Sequence, residues 1–288
     1  MTKIRLLDGA TGTRLWELAE ENGYEKVPVW KFNIEHPELV LQAAAEYAAA
    51  GSDILYTNTF AVNRNSVKRS SSYRVDEVVS AALQTAKKAV EGTDKKIALS
   101  FGPLHDFLEP YGDLEEEEAA DIFEEMLDSA VRYRPDYIVW ETFLDLHMLE
   151  VAAKTSLRYQ IPVICSMSFE QEGRTIMNQT PAEVAETLSP LGIHAIGANC
   201  SLGPKLLLPV LRELSGHTDL PLLFKPNAGV PTIDSFGREV RNYTSETFLS
   251  EIREALPLVS YLGGCCGTDR SYIAGLRKLI DEYEKESL

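Results

Sequence analysis

The chain is poor in basic residues and has no long apolar segment. Its 288 residues contain 28 lysines and arginines against 44 aspartates and glutamates, giving a formal net charge of −16. This excess of negative charge argues against binding to nucleic acid or to an anionic membrane surface. No apolar run approaches the ~20 residues that a membrane helix needs. We therefore expect neither a nucleic-acid-binding nor a membrane protein.

Cysteine is also scarce, with only Cys165, Cys200, Cys265 and Cys266. The first nine residues mix polar and apolar side chains and lack the pattern of a signal peptide. These features favour a reducing, cytoplasmic location, and a metal-binding or catalytic use of cysteine rather than a disulfide framework. A chain of this length buries about three quarters of its unfolded surface, so it needs no metal merely to form a core.

Short apolar segments recur along the chain, each followed by glycine or polar residues and then by an amphipathic stretch. The eight segments are residues 4–7, 53–57, 97–101, 137–140, 162–167, 195–197, 220–224 and 259–262. They are apolar on both faces, as buried parallel strands are. Helices are predicted between them, and Thr180, Pro181 and Glu183 form a strong helix start. Eight βα units predict one α/β domain over residues 1–288, a (β/α)8 TIM barrel, with a doubly wound open sheet as the alternative.

The adjacent Cys265 and Cys266 are the most informative residues of the chain. Neighbouring cysteines are poorly placed for a mutual disulfide, yet two thiolates on a glycine-rich turn can hold one soft metal ion such as Zn²⁺. Active sites of TIM barrels lie at the C-terminal ends of the strands, so Cys200, after the sixth segment, is expected to reach the same point. Three thiolates leave one position of a tetrahedral zinc open for substrate. The expected nucleophile is a thiol, because the metal lowers the thiol pKa.

Other polar residues also fall near the predicted mouth of the barrel. Asp8 and Glu141 lie at the ends of strands there. Two carboxylates suit the ammonium of an amino acid, and the backbone amides of the glycine loop suit its carboxylate. The alternatives are a simple Asp-Gly turn for Asp8 and an arginine or backbone partner for Glu141. Cys165 is expected to be a small buried hydrophobe. His105 shows no partner for a general base, so a bystander role is favoured.

Six short motifs follow the predicted strands in order. They are LDGATGT at 7–13, TNTF at 57–60, ETF at 141–143, NCSLGP at 199–204, PNAG at 226–229 and GGCCGT at 263–268. Over about residues 6–279 they resemble the homocysteine S-methyltransferase family, most closely the homocysteine-binding module of cobalamin-dependent methionine synthase. The resemblance implies catalytic zinc on Cys200, Cys265 and Cys266, with the homocysteine thiol in the fourth position. It also implies that Asn227 can occupy that position when substrate is absent.

The resemblance further implies how the substrate is held. Asp8 and Glu141 match the acids that bind the substrate ammonium, and the amides of Gly9 and Ala10 match those that meet its carboxylate. Asn199, at the start of its motif, joins the expected substrate contacts. The thiolate would then attack a methyl group on a donor and give methionine.

The sequence departs from the family pattern at two places. Residues 269–272 replace a Thr-Pro-Glu-His-like start of the last helix, which Thr268 or Asp269 can still cap. Phe101 stands where a smaller aliphatic residue is common, and we expect it to reshape the pocket floor.

The methyl donor is left open by the sequence. One barrel has no room for the folate, cobalamin or reactivation modules of methionine synthase, so the first candidate is a separate methyl-corrinoid protein that docks over the mouth. The second is a diffusible donor, S-methylmethionine or S-adenosylmethionine. Betaine is disfavoured because no aromatic cage for a quaternary ammonium is evident. An alternative from another class is a non-catalytic zinc-binding subunit of a corrinoid methyl-transfer complex.

Overall fold

Eight parallel strands form a barrel, as predicted from the apolar segments. The computed structural model describes residues 3–229, 232–233, 239–240 and 243–286. The strands are β1 (Arg5–Leu6), β2 (Ile54–Tyr56), β3 (Lys96–Phe101), β4 (Tyr137–Phe143), β5 (Val163–Met167), β6 (Ala195–Asn199), β7 (Leu222–Lys225), β8 (Thr232–Ile233), β9 (Glu239–Val240) and β10 (Tyr261–Leu262). The barrel order is β1-β10-β7-β6-β5-β4-β3-β2, while β8 and β9 pair separately as an antiparallel ribbon. The TIM barrel is therefore confirmed.

Helices cover the outside of the barrel. They are α1 (Thr11–Glu21), α2 (Phe32–Glu35), α3 (Pro37–Ala50), α4 (Arg64–Ser70), α5 (Val75–Val90), α6 (Glu116–Val131), α7 (Leu146–Ser156), α8 (Pro181–Leu188), α9 (Pro204–His217), α10 (Ser245–Ile252) and α11 (Arg270–Glu286). The predicted start of α8 is confirmed, since the Glu183 N–H donates to Thr180 Oγ1 at 3.1 Å. Asp269 caps α11 by accepting the Ser271 N–H at 2.7 Å. Among the described helices, none is both long and apolar enough to cross a membrane.

Side chains of the strands divide between the barrel interior and the layer beneath the helices. Ala98 packs inside the barrel. The other seven barrel strands each contribute at least one residue to the same cluster, from the strand itself or directly after it; Leu7, Val139 and Leu223 are among them. Phe101 instead packs in the outer layer, with its ring centroid 5.5 Å from that of Trp140. The expectation that Phe101 reshapes the pocket floor is therefore wrong. Alternate residues of a strand face opposite sides, and Phe101 lies on the helix-facing side.

Side-chain carboxylates close the barrel between β1 and β2. In the hydrogen-bonded order of the sheet, β1 is the first strand and β2 is the last. Across the gap, the Leu6 N–H donates to Asp53 Oδ2 at 2.8 Å, and the Tyr56 N–H donates to Asp8 Oδ2 at 2.7 Å. Because each carboxylate takes the place of a strand carbonyl, the wall is continuous. Asp8 is thus part of the barrel wall as well as of its mouth.

Candidate active site at the barrel mouth

Three of the four cysteines meet at the C-terminal ends of β6 and β10. The sulfur atoms of Cys200, Cys265 and Cys266 all lie within 4.8 Å of one another. Cys200 follows β6 directly in a left-handed backbone conformation, with φ of 64°. Cys265 and Cys266 lie on the turn after β10, which requires Gly264 because a Cβ there would lie 2.4 Å from Thr268 Oγ1. The predicted trio is brought together, so these residues can hold a metal ion.

The spacing of the sulfurs fits a tetrahedral ion. A Zn–S bond of about 2.3 Å places tetrahedral sulfurs about 3.8 Å apart, and the Sγ atoms of Cys200 and Cys266 are 3.7 Å apart. Hydrogen bonds to Cys265 and Cys266, together with burial, raise the pKa of Cys200 far above that of an ordinary thiol. The cluster therefore needs a cation to become fully deprotonated.

Asn227 lies between Pro226 and Ala228, whose backbones are hydrogen-bonded to Cys265 and Cys266, and its side-chain oxygen is unsatisfied among the described residues. Its backbone N–H donates to the Leu202 carbonyl at 2.9 Å, which fixes the residue after β7. Its Oδ1 is buried and has no hydrogen-bond partner among the residues that the structure describes. A buried carbonyl oxygen without a donor is costly, so this atom suits a further ligand to a metal.

Glu141 is buried in the floor of the mouth, on β4. Ser100 Oγ donates to its Oε1 at 2.5 Å, and Asn199 Nδ2 lies 3.5 Å from its Oε2. Burial raises the pKa of this carboxyl to about 7; Lys225 opposes that rise, and the nearby Cys265 adds to it. Glu141 therefore gains from any cation that enters the mouth.

Asn199 is fully hydrogen-bonded within the protein. Its Oδ1 accepts from the Thr142 N–H at 2.8 Å and from Ser166 Oγ at 2.7 Å. Its Nδ2 donates to Thr142 Oγ1 at 2.7 Å in addition to the long contact with Glu141. The predicted substrate contact is thus placed next to the pocket, where its amide holds Glu141 and the end of β4.

Asp8, Gly9 and Ala10 form the turn between β1 and α1. Asp8 is 2% exposed, and burial raises its pKa while Lys225 opposes the rise. A Cβ at Gly9 would lie 2.6 Å from the Tyr47 ring, so only glycine fits there. The Ala10 N–H already donates to the Thr268 carbonyl at 3.1 Å. A substrate carboxylate that binds the Ala10 N–H would share it with the Thr268 carbonyl or displace that carbonyl.

Lys225 and Tyr56 also belong to the mouth but were not predicted from the sequence. Lys225 ends β7, is 4% exposed, and places Nζ 3.3 Å from Asp8 Oδ1 and 4.7 Å from the centre of the Tyr56 ring. Burial opposes its charge, but Asp8, Glu141 and Cys265 raise its pKa overall. Tyr56 Oη is buried without a hydrogen-bond partner in the described part of the chain. The available signal was a lysine directly after an apolar segment, since buried lysines are almost always paired.

Two residues considered from the sequence lie away from the sulfur cluster. Cys165 is fully buried in the layer beneath the helices, and burial alone raises its thiol pKa. This is the environment expected of a small hydrophobe. His105 lines a side pocket of about 420 Å³ together with Phe60, Pro103 and Phe107.

Comparisons with known proteins agree with this geometry. A family model described as Homocysteine S-methyltransferase matches residues 5–280. A methionine synthase of Mycobacterium leprae is 28% identical over 94% of this chain, which spans only 24% of that protein's length. The S-methylmethionine–homocysteine S-methyltransferase of Mus musculus is 28% identical over 89% of this chain and 74% of its own length. Betaine–homocysteine S-methyltransferase 1 of Bos taurus is 26% identical over 89% of this chain and 68% of its own.

Solved structures support the same architecture. The metallated form of the homocysteine methyltransferase MmuM from Escherichia coli superimposes with a TM-score of 0.77 at 21% identity, covering 96% of both chains. At that identity the likeness shows the barrel fold. The family model, in contrast, covers all but the ends of the sequence. The chain therefore belongs to the homocysteine S-methyltransferase family.

Proposed function

We propose that this chain is a zinc-dependent S-methyltransferase that methylates homocysteine to methionine. The observation that carries the proposal is the cluster of three cysteine sulfurs within 4.8 Å of one another at the mouth of the barrel. The buried carboxylates of Asp8 and Glu141 lie in the same mouth. Membership of the homocysteine S-methyltransferase family supports homocysteine as the thiol.

Cys200, Cys265 and Cys266 would hold the zinc ion. Asn227, with its buried and unpartnered Oδ1, would serve as a fourth ligand before substrate binds. When bound, the ion would lower the pKa of the homocysteine thiol and so keep the sulfur nucleophilic at neutral pH. The four cysteines are free thiols, which suits a reducing, cytoplasmic location.

The chain's own side chains would orient the amino-acid part of homocysteine. Glu141 would accept the ammonium in the floor of the mouth, where burial excludes competing water. The turn at Gly9 and Ala10, which leads into the N-terminus of α1, would receive the carboxylate, since a helix N-terminus favours anions. Asn199 would keep Glu141 in position through its own four hydrogen bonds. These contacts would direct the sulfur toward the cysteine cluster.

For the methyl donor we propose a separate methyl-corrinoid protein. Large apolar side chains are exposed on loops that follow the strands at the mouth, namely Phe60, Phe107, Tyr111 and Ile176. Exposed apolar groups gathered on one face are typical of an interaction surface. The chain spans about a quarter of a similar methionine synthase, and its motifs resemble the homocysteine-binding module of cobalamin-dependent methionine synthase; this resemblance favours a corrinoid donor.

A diffusible donor is the second candidate. The side pocket of about 420 Å³ beside the mouth is lined by Phe60, Phe107 and Met148, among others. An apolar pocket of that size falls in the range of small-ligand sites and would suit S-methylmethionine or S-adenosylmethionine. Betaine is less favoured by the sequence, but a similar protein of Bos taurus bears its name, so it belongs in the same test.

A donor screen tests the proposal. Purified zinc-loaded protein is incubated with homocysteine and, in turn, S-methylmethionine, S-adenosylmethionine, betaine, free methylcobalamin and a methyl-corrinoid protein, and methionine is measured. Methionine formed only with the corrinoid protein supports the first donor, and methionine formed with a small donor supports the second. No methionine with any donor, from protein that retains zinc, would favour the non-catalytic zinc-binding subunit instead.

A further inference from the structure

Tyr56 is a buried polar residue of the barrel mouth to which the proposed function gives no role. We propose that Tyr56 binds the substrate, its hydroxyl oxygen accepting a hydrogen bond from the ammonium of homocysteine. Asp8 and Glu141, the acids expected to hold that ammonium, are its neighbours there. The inference rests on the proposed function, because it adds a residue to the site that holds the same substrate.

The backbone of Tyr56 is fixed at the seam that closes the barrel. Its N–H donates to Asp8 Oδ2 at 2.7 Å, and the residue pairs in register with Ala98 on β3. The side chain turns inward, where it belongs to the same barrel-interior cluster as Leu7 and Val139. It is 7% exposed. The hydroxyl is thus carried by a strand, which holds it more rigidly than a loop, beside one of the two acids.

The hydroxyl of Tyr56 is unsatisfied, unlike those of the other buried tyrosines. Its Oη has no hydrogen-bond partner in the part of the chain that the structure describes. Tyr47 Oη, in contrast, donates to the Thr268 carbonyl at 3.2 Å, and Tyr261 Oη lies 2.6 Å from His194 Nε2. A buried polar group without a partner costs about 1–3 kcal/mol. The Tyr56 hydroxyl is therefore suited to a group that arrives with a ligand.

The charges around Tyr56 select a cation as that group. Burial raises the pKa of Tyr56 well above its ordinary value, and the charges of Glu141, Asp8 and Cys265 raise it further. A phenol in these surroundings stays protonated and neutral. The same negative charges repel an arriving carboxylate and attract an ammonium. Of the two charged groups on homocysteine, Tyr56 consequently meets the ammonium.

The open acceptors of the mouth match an ammonium in number. Asp8 Oδ1 is a second buried oxygen without a hydrogen-bond partner among the described residues. Glu141 Oε2 has a long contact with Asn199 Nδ2, at 3.5 Å, and can accept a stronger donor. Tyr56 Oη makes the third acceptor, and an alkyl ammonium has three N–H donors. A phenol can accept one of them while donating its own proton to a carboxylate oxygen.

Lys225 leaves room for this second cation. Its Nζ lies 3.3 Å from Asp8 Oδ1 and 4.7 Å from the centre of the Tyr56 ring, so it faces the ring and is not hydrogen-bonded to the hydroxyl. With Glu141 ionised, two carboxylates and one lysine leave one unbalanced negative charge among these side chains. Buried charges are normally paired, and the substrate ammonium supplies the missing positive charge.

Comparing two ligands on matched variants tests the inference. Calorimetry on zinc-loaded protein, without a methyl donor, compares homocysteine with its desamino analogue, which keeps the thiol and the carboxylate but lacks the ammonium. In Y56F the Kd for homocysteine rises about tenfold, as for one hydrogen bond to a charged group, while the Kd for the analogue changes less than about twofold. The control Y261F removes a buried hydroxyl at the start of β10 and leaves both Kd values unchanged.

Stability and turnover add readouts that a merely structural role would not produce. An unpartnered hydroxyl does not stabilise the substrate-free fold, so metal-free Y56F unfolds at or above the wild-type temperature, whereas Y261F leaves His194 unpaired and unfolds at a lower one. With a working donor, Y56F raises KM for homocysteine about tenfold and changes kcat less than about threefold, because the ammonium lies away from the reacting sulfur. If the analogue binds too weakly for calorimetry, this division between KM and kcat decides.

Several results would overturn the inference. They are unchanged homocysteine binding in Y56F, an equal loss for the two ligands, and a loss confined to kcat. A Y56F protein that is destabilised or unfolded would also contradict it, because the hydroxyl would then have a partner in the substrate-free protein. Zinc-loaded wild-type protein that binds no homocysteine would instead reject the proposed function.

Discussion

Replacing Glu141 by glutamine probes the electrostatic state of the barrel floor. Burial, the largest effect on this carboxyl, raises its pKa from 4.5 to about 7 in the folded protein, with Lys225 opposing and Cys265 adding to the rise. A pKa difference of that size corresponds to roughly 3 kcal/mol of unfolding free energy. Glutamine has nearly the same shape but does not titrate, so the difference between the two proteins isolates this one group.

The sign of the effect follows from where the proton is held more tightly. The folded state has the higher pKa, so it retains the proton at pH values at which the unfolded chain has lost it. The stabilisation is fully present below pH 4.5, decreases as the pH rises toward 7, and is lost above that. Relative to E141Q, the wild-type protein is therefore expected to lose roughly 2–3 kcal/mol of unfolding free energy between pH 5 and pH 8.

Urea unfolding of the metal-free proteins measures this difference. Wild type and E141Q are unfolded at pH 5 and pH 8, and the change in their difference is compared with the expected value. The thiols and other carboxyls titrate in both proteins, so the comparison removes the part of their contributions that does not depend on Glu141. A difference that stays constant within about 0.5 kcal/mol, the usual scatter of such comparisons, would show that the Glu141 carboxyl ionises normally and refute the reasoning.

Three further predictions concern the metal, the wall and the rim of the barrel. Cys200→Ala is expected to abolish stoichiometric zinc binding, whereas Cys165→Ala, in the outer layer, keeps zinc and costs about 1–2 kcal/mol in urea unfolding; zinc retained in C200A would contradict the three-cysteine site. Gly197→Ala places a Cβ 2.1 Å from the Leu223 carbonyl oxygen and is expected to destabilise the protein by about 3 kcal/mol; unchanged thermal unfolding would contradict this packing. Phe107→Ser is expected to raise KM for the donor severalfold and to leave the calorimetric Kd for homocysteine unchanged; equal effects on both would show that the exposed rim does not bind the donor.

The barrel and the sulfur cluster were predictable because each depends on a repeated, one-dimensional pattern. Apolar segments at regular intervals predict parallel strands, and the ends of parallel strands meet at one mouth. That rule brought Cys200 to Cys265 and Cys266 from a distant part of the chain, and the structure confirms their proximity. The start of α8 at Thr180 was equally local and is also confirmed.

Other features of the site depend on facts that the sequence does not contain. Phe101 faces the helices because of its register in β3, and a shift of one residue would have turned it into the pocket. The four hydrogen bonds of Asn199 become visible only when β4, β5 and β6 lie side by side. Lys225, at the end of β7, pairs with Asp8, which follows β1 and lies more than 200 residues away in the sequence. A charged residue at the end of an apolar segment indicates burial, but it does not identify the partner.

X-ray absorption spectroscopy of the zinc-loaded protein, with and without homocysteine, tests the central claim most directly. The proposal predicts one zinc ion per chain with three sulfur ligands in the resting protein and four after homocysteine is added, because the substrate thiol joins Cys200, Cys265 and Cys266. Protein that binds no zinc, or zinc whose sulfur coordination does not change when homocysteine is added, would contradict it.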